Sequence, residues 1–170
     1  IDPGMIKAFA NLASILYDLG KLEEAEELIR TVIKKEPGNI DGNFNLSHIL
    51  LKHGYFEEGW AKYEWRWNTK TFLGTKLNTS KPETSPNNYG RVLVWGEQGI
   101  GDQIMYSRLL SSLFEQSQTL IVQTDKRLIP LLKRSLDPRI QYRPRSDFVS
   151  ETDYDTQIAI GSLPRLFKFP

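Results

Sequence analysis

The residues whose types and spacing best suit binding or catalysis lie in the sequence GEQGIGD, from Gly96 to Asp102. A short apolar run, Arg91 to Trp95, precedes them and an amphipathic pattern follows, which predicts a buried strand, a glycine turn and a helix. In parallel sheets, ligands bind beyond the carboxyl ends of the strands, and the first strand-to-helix turn is a favoured position. Gly96, Gly99 and Gly101 would let a ligand approach the backbone closely.

Two interpretations of this turn follow from the residues alone. A dinucleotide site is favoured by the spacing of Gly99 and Gly101 and by Asp125, which follows the next predicted strand. Against it, Ile104 stands where a third glycine belongs, and Asp102 puts a carboxylate at the helix N-terminus where a pyrophosphate would sit. The other interpretation is a structural turn in which Asp102 only caps the helix.

The elements around this turn alternate between strand and helix patterns. Predicted strands cover residues 91–95, 119–123, 140–142 and 157–160, with one helix over 102–115 and another after Asp125. In the first helix the apolar positions predicted to face inward are Ile104, Met105, Leu109, Leu110 and Leu113. The alternation predicts a doubly wound parallel sheet, and residues 90–170 would form about half of such a domain.

The N-terminal part of the chain repeats with a period of 34 residues. The segment NLASILYDLGKLEEAEELI superposes on NLSHILLKHGYFEEGWAKY, and Asn11, Leu12, Ile15 and Gly20 then match Asn45, Leu46, Ile49 and Gly54. Leu12, Ile15, Leu16 and Leu19 fall on one helical stripe. This period, with a glycine between two helical halves, resembles the tetratricopeptide repeat, with copies at 6–39 and 40–67 in a domain spanning 1–68.

The resemblance to tetratricopeptide repeats implies a concave groove that holds a peptide or a partner protein. A plain helical spacer is the alternative. Two repeats bury little surface, because about three or more are normally needed for stability. We therefore expect further repeats or a downstream element to complete the stack.

The end of the second repeat is rich in aromatic residues. Trp60, Tyr63 and Trp67 lie at helical spacing on one side, which favours a packed interface over a ligand cage. These three residues are predicted to dock the repeats on the next domain. Residues 69–89 follow; they are rich in Asn, Thr, Ser and Pro, which is typical of a linker.

Composition excludes several classes of function. The net charge is +1 and charges of both signs are interspersed, so the sequence shows no basic patch of the kind that binds nucleic acid. There is no cysteine, and His48 and His53 are five residues apart on one predicted helix, so no metal site is expected. No apolar run is long enough to span a membrane and no signal peptide opens the chain, which favours a cytoplasmic protein. The ends of the sequence suggest a fragment.

A second resemblance covers nearly the whole chain. The segment LVWGEQGIGDQIMYSRLLSSL is preceded by GYFEEGWAKYEWRW and followed by DKRLIPLLKRSL and IAIGSLPRLF. Together they resemble bacterial tetratricopeptide-repeat glycosyltransferases, whose catalytic part is similar to the heptosyltransferases of glycosyltransferase family 9. The resemblance implies a GT-B architecture, in which two Rossmann-like domains face each other across a cleft. The N-terminal domain receives the acceptor, a glycan or a protein, and the C-terminal domain holds a nucleotide-sugar donor.

The resemblance also assigns roles to residues. Gly101 and Asp102 match the pair whose aspartate acts as the catalytic base. Glu97 and Gln98 match the motif and would either hydrogen-bond the acceptor or brace the loop. Ser162 in the GSLP turn would face the same edge of the sheet, and the alternative, which we favour, is that it caps a short helix. No cofactor is implied beyond the donor substrate. The chain would be inactive without its donor domain. The alternative function is a protein-interaction module in which the repeats bind a partner.

Overall fold

The computed structural model describes residues 3–97 and 99–169 of the chain. These residues form two compact units, one up to Thr75 with the last residues from Lys168, and one from Lys76 to Phe167. The first unit is helical and the second contains a parallel sheet with helices, which confirms the mixed α and α/β class. Residues 76–89, a linker in the sequence interpretation, belong to the second unit.

The helical unit consists of two helical pairs. Its helices are α1 (Pro3–Asp18), α2 (Leu22–Lys35), α3 (Ile40–His53) and α4 (Phe56–Tyr63), and a 3-10 helix follows at Glu64–Asn68. The core is apolar and lies between the first three helices; it contains Ala13, Ala25, Ile29, Leu46, Ile49 and Leu50.

The glycines that are 34 residues apart make the same turn in both pairs. Gly20 has φ of 77° and Gly54 has φ of 84°, and a side chain at either position would be strained. Gly54 ends α3 in the left-handed conformation, and its N–H bonds to the carbonyl of Leu50 or Leu51. The turn therefore satisfies a carbonyl that the helix end would otherwise leave unpaired.

The α/β unit has one sheet of four parallel strands. They are β1 (Arg91–Trp95), β2 (Thr119–Thr124), β3 (Gln141–Pro144) and β4 (Thr156–Ala159), in the order β3-β2-β1-β4. The register places Val94 beside Val122 on one side and beside Ile158 on the other. These three residues are fully buried, so the centre of the sheet is apolar as predicted for a parallel strand.

The helix predicted over residues 102–115 is two helices, and two of its inward positions were wrong. They are α5 (Ile100–Ser107) and α6 (Leu110–Gln116); α7 (Ile129–Ser135) and α8 (Leu163–Leu166) follow β2 and β4. Ile104 and Met105 are exposed, whereas Gln103, Tyr106 and Ser107 are buried. Because α5 ends at Ser107 and α6 begins at Leu110, the two helices do not share one axis of periodicity. The apolar positions of the two helices therefore do not form a single stripe.

Residues 76–89 cover part of the sheet. Leu77 packs against a small core of Leu93, Ile121 and Tyr154. At the free edge of β4, Thr84 donates its N–H to the carbonyl of Gln157 at 2.8 Å. The edge strand is therefore partly paired by the chain itself, which satisfies backbone groups that would otherwise face solvent.

Candidate functional site

The candidate site lies at the carboxyl edge of the sheet, which we define as the residues that directly follow the carboxyl ends of the strands. The chain passes from β1 to β2 and β3 on one side, then returns to β4 on the other side of β1. The point where this order reverses is where open parallel sheets bind ligands. Gly96 and Glu97 follow β1 at this point, and Gly161 and Ser162 follow β4.

Glu97 joins the two strands that flank the reversal. Its side chain is only 7% exposed, and its Oε1 accepts a hydrogen bond from the N–H of Gly161 at 2.9 Å. A Cβ on Gly161 would lie 2.6 Å from the same oxygen, so a side chain there would displace the Glu97 carboxylate. The charge of Glu97 is therefore committed at least partly to a backbone donor in the turn after β4.

The backbone of Glu97 is also bonded. Its carbonyl accepts hydrogen bonds from Nε2 of Gln103 at 3.1 Å and from Nη1 of Arg145 at 2.8 Å. Arg145 follows β3, and its N–H donates to the carbonyl of Thr124 at the end of β2. Glu97 therefore connects the segments that follow β1, β3 and β4.

Gln103 is a buried polar residue that sequence reasoning missed. Its Oε1 accepts from Thr124 Oγ1 at 2.7 Å and from the N–H of Asp125 at 3.2 Å. A Cβ on Gly96 would lie 2.7 Å from this oxygen, so a side chain there would force the Gln103 amide to shift. The polar pair Thr124–Asp125 at the end of an apolar strand was a sequence signal for such a residue, because buried polar groups need a hydrogen-bond partner.

Asp102 differs from Glu97 in being exposed. It is the third residue of α5, where the helix dipole stabilises an anion. The position before the helix is taken by Gly99, with φ of 76°, and no side chain caps it, so the capping role considered for Asp102 was wrong. A Cβ on Gly99 would lie 2.6 Å from Asp102 Oδ2, whereas a Cβ on Gly101 would meet open space. The carboxylate thus lies over Gly99 at the surface.

The other residues predicted at this edge are Gln98, Ser162 and Asp125, and they differ in burial and in hydrogen bonding. Gln98 lies outside the described residues. Ser162 is buried and directly precedes α8, but its hydroxyl makes no capping hydrogen bond. Asp125 accepts hydrogen bonds from Nε and Nη2 of Arg127 at 2.9 and 2.8 Å. These bonds hold the pKa of the Asp125 carboxyl well below its usual range. Both of its oxygens are therefore paired with Arg127, which weakens the dinucleotide interpretation.

The predicted interface residues surround a buried cation in the helical unit. Arg66 is fully buried, and its guanidinium carbon lies 4.5 Å from the centre of the Tyr63 ring and 4.1 Å from that of the Trp67 ring. Its Nη1 also donates to Glu64 Oε1 at 2.9 Å. Trp60 contacts Tyr63 edge-to-face at 5.7 Å and donates its Nε1–H to the carbonyl of Phe169. Docking of these aromatic residues on the sheet stays a prediction.

The helical unit contains a hollow of about 190 Å³ between its first three helices. Its lining is mixed, with apolar residues at the base and polar residues at the rim: Ala13, Ser14, Tyr17, Asp18, Ile29, Asn45, His48 and Ile49. A shallower hollow of about 370 Å³ continues along α1 and α3 and shares Ser14 and Asn45 with the first. Burial lowers the pKa of the His48 imidazole, and a hydrogen bond with the backbone of Phe44 partly opposes this shift.

The part of the chain that the structure describes also bears on metal binding and on membrane insertion. No group of three or more His, Cys, Asp or Glu side chains there is arranged to hold a metal ion. None of the helices within residues 3–97 and 99–169 is long and apolar enough to cross a membrane.

Comparison with known proteins gives one curated relative and no match to a family model. The relative is protein FlbA of Caulobacter vibrioides, which is 27% identical to this chain over 150 residues. The alignment covers 83% of this chain but 25% of FlbA, so the chain spans about a quarter of the length of FlbA.

Proposed function

We propose that the chain is the acceptor-side part of a GT-B glycosyltransferase that carries tetratricopeptide repeats, with Asp102 as the catalytic base. The observation that carries the proposal is the different burial of two carboxylates at the carboxyl edge. Glu97 is buried and bonded to the turn after β4, while Asp102 is exposed at the start of α5. One carboxylate fixes the loop and the other is accessible to a substrate.

In the proposed reaction a hydroxyl of the acceptor lies against the Asp102 carboxylate. The hydroxyl oxygen attacks the anomeric carbon of the donor sugar, and the bond from that carbon to the nucleotide phosphate breaks. The hydroxyl proton passes to Asp102, and the nucleotide leaves with the bonding electrons. A positioned carboxylate contributes to such a step by accepting the proton in the transition state.

The position of Asp102 fits acceptor binding better than donor binding. Its negative charge at the first turn of α5 would repel the phosphates of a nucleotide sugar. The open space beside Gly101 leaves the carboxylate approachable by a neutral hydroxyl. In the GT-B arrangement the donor phosphates are held by the other domain, which agrees with this charge.

Glu97 is better described as a brace than as an acceptor ligand. Its side chain has little exposed surface, and one of its carboxylate oxygens is bonded to Gly161. It holds the strand-to-helix turn in place, so a catalytic group in that turn needs little reorganisation before reaction. Ser162, buried in the adjacent turn, belongs to the same braced region.

The test uses the natural polypeptide that contains this chain, incubated with a panel of nucleotide sugars while release of free nucleotide is followed. We expect Asp102→Asn to slow release of nucleotide from the preferred donor by about 10²–10⁴-fold, without loss of folding. Asp153→Asn is the matched control, because Asp153 is also exposed but precedes β4 at the opposite edge of the sheet. Full turnover by Asp102→Asn would exclude Asp102 as the base.

A second candidate function is binding of a peptide by the helical unit. The observation that favours it is the hollow beside α1 and α3, where Asn45 Nδ2 and Ser14 Oγ lie only 3.4 Å apart at the rim. Amide and hydroxyl groups of this kind can bond to the backbone of an extended peptide. A peptide array probed with the chain tests it: Asn45→Glu should abolish any binding in the hollow, whereas Asp102→Asn should leave it unchanged.

A further inference from the structure

The outer face of α1 is an apolar surface, which we define by Met5, Leu12 and Ile15 of the helix and by Leu19, which directly follows it. These side chains are 48%, 45%, 56% and 69% exposed. They are spaced seven, three and four residues apart, so they form one stripe along the helix. Nothing among the described residues covers this stripe. Single exposed apolar residues are ordinary on a protein surface, but a continuous stripe of four marks a contact surface.

The second helical pair shows what covers such a stripe. Adding 34 to Leu12 and Ile15 gives Leu46 and Ile49, which are both only 1% exposed. They are buried in α3, in one core with Ala25 and Ile29 of α2. The same two sequence positions are therefore buried in the second pair and exposed in the first. The difference is that a preceding helix, α2, lies against α3.

We propose that the outer face of α1 is a docking surface for another helix of the α2 kind. That helix belongs to a further helical pair that stacks on α1 as the pair α1–α2 stacks on α3. The inference is independent of glycosyl transfer, because it concerns only the helical unit. Stacked repeats need a polar outer face on the terminal element, and α1 lacks one.

The structure also indicates which residues the covering helix needs. The residues of α2 that are buried are Ala25, Ile29 and Val32, at spacings of four and three. A covering helix therefore needs a small residue and two branched apolar residues in this order. At the position of Val32 it needs a residue no larger than valine. A Cβ on Gly42 would lie 3.3 Å from Val32 Cγ1, and the matching residue of α1 is Ala8, which has that Cβ.

One position should differ from α2. In the second pair, Nε2 of His53 lies 3.5 Å from Oε2 of Glu26, so α2 presents an acid to the end of α3. The residue that matches His53 in the first pair is Leu19, which directly follows α1 and is the most exposed member of the outer face. The covering helix should therefore have an apolar residue where α2 has Glu26. A second copy of this chain cannot supply such a helix, because the apolar face of its α2 is already buried against its own α3.

The test is the full chain extended by one repeat in register, with residues 1–39 placed ahead of residues 6–170. The junction preserves the sequence, since Asn39 is followed by an isoleucine in both settings. We expect amide exchange of the original residues 12–19 to slow by about tenfold or more. Glu26→Leu in the added repeat should slow it further. Ile29→Asp in the added repeat is the matched control and should cancel the protection.

Two results would overturn the proposal. One is equal exchange in the extended chain and in its Ile29→Asp control. The other is a dimer of the original chain in sedimentation that Ile15→Glu dissociates, because a second copy would then occupy the face. If the extended chain does not fold, Leu19→Glu in the original chain provides an independent measurement. A drop in its melting temperature would show that the face is already covered, and an unchanged melting temperature would show that it is free for the docking helix.

Discussion

Among the described residues, each unit of this protein buries one charged side chain, and the two are held differently. In the helical unit, Arg66 lies between the rings of Tyr63 and Trp67 and bonds to Glu64, all within three residues of itself in sequence. In the α/β unit, Glu97 bonds to the N–H of Gly161, 64 residues away. These contacts of Arg66 lie within its own segment, whereas this bond of Glu97 joins the turns that follow two different strands.

This difference separates a packing role from a role at a site. A buried cation stacked on local aromatic rings stabilises the segment that contains it, and an apolar side chain of similar size can replace it. A buried carboxylate that bonds to a distant backbone N–H fixes the relative position of two loops, and an apolar side chain cannot replace it. The turns after β1 and β4, which Glu97 joins in this way, include the loop that leads to the exposed Asp102. The position of Glu97 therefore affects the candidate site.

The largest expected effect is at Arg66. Arg66→Ala would remove the guanidinium that bonds to Glu64 and leave a cavity between two aromatic rings, which should lower the free energy of unfolding of the helical unit by about 3–5 kcal/mol. Arg66→Met should recover most of this loss, because methionine fills the space without a charge. Urea titration of the three proteins measures both values. Equal losses for alanine and methionine would mean that the charge itself is required, and the comparison with Glu97 would fail.

Glu97 should show a smaller loss of stability and the opposite response to replacement. Glu97→Ala would leave the buried N–H of Gly161 without this acceptor, at a cost of about 1–3 kcal/mol. Glu97→Gln keeps a carbonyl oxygen there and should recover more stability than Glu97→Met, which keeps only the volume. Urea titration followed at Trp95 fluorescence in the α/β unit measures these values. Better recovery by methionine than by glutamine would place Glu97 in the same class as Arg66.

The helical unit was largely predictable because its determinants are local. Gly20 and Gly54 adopt positive φ, as expected for turns between helical halves, and the period of 34 residues located all four helices. The exposure of Leu12, Ile15 and Leu19 was not predictable. An apolar stripe shows that a face needs covering, but only the structure shows whether another element among the described residues covers it.

The elements around the candidate site were predictable in outline, but their hydrogen bonds were not. The strand, the glycine turn and the helix were located from the apolar run and from Gly96, Gly99 and Gly101. The parts played by Gln103 and Arg145 were not, because their hydrogen bonds join segments that are distant in sequence. Sequence periodicity treats Gln103 as a surface residue, whereas the burial of Thr124 and the backbone of Asp125 requires its amide.

The third prediction concerns the acid stability of the α/β unit. Glu151 accepts hydrogen bonds from Ser80 and Thr79, which lower the pKa of its carboxyl to about 2. Its contribution to stability is therefore complete above the usual carboxyl pKa near 4.5 and is lost as the pH falls toward 2. The difference in stability between the parent chain and Glu151→Gln should shrink over this range. A difference that stays constant with pH would show that the charge of Glu151 does not stabilise the attachment of residues 79–80.

The smallest expected effect is at His48, and it should occur in the other unit and at higher pH. Burial lowers the pKa of His48, so the unfolded chain binds a proton at a pH where the folded chain does not. The stability of the helical unit should therefore be complete above the usual histidine pKa of about 6.5 and decrease as the pH falls below it. Between pH 6.5 and 5, the protection of amides against hydrogen exchange, relative to their intrinsic rates at each pH, should decrease in α3 and remain unchanged in β1. His48→Gln should remove this pH dependence while Glu151→Gln preserves it, because Glu151 stays ionised throughout that range. If β1 and α3 responded together, the two units would unfold as one, and the separate assignment of the two buried charges would no longer hold.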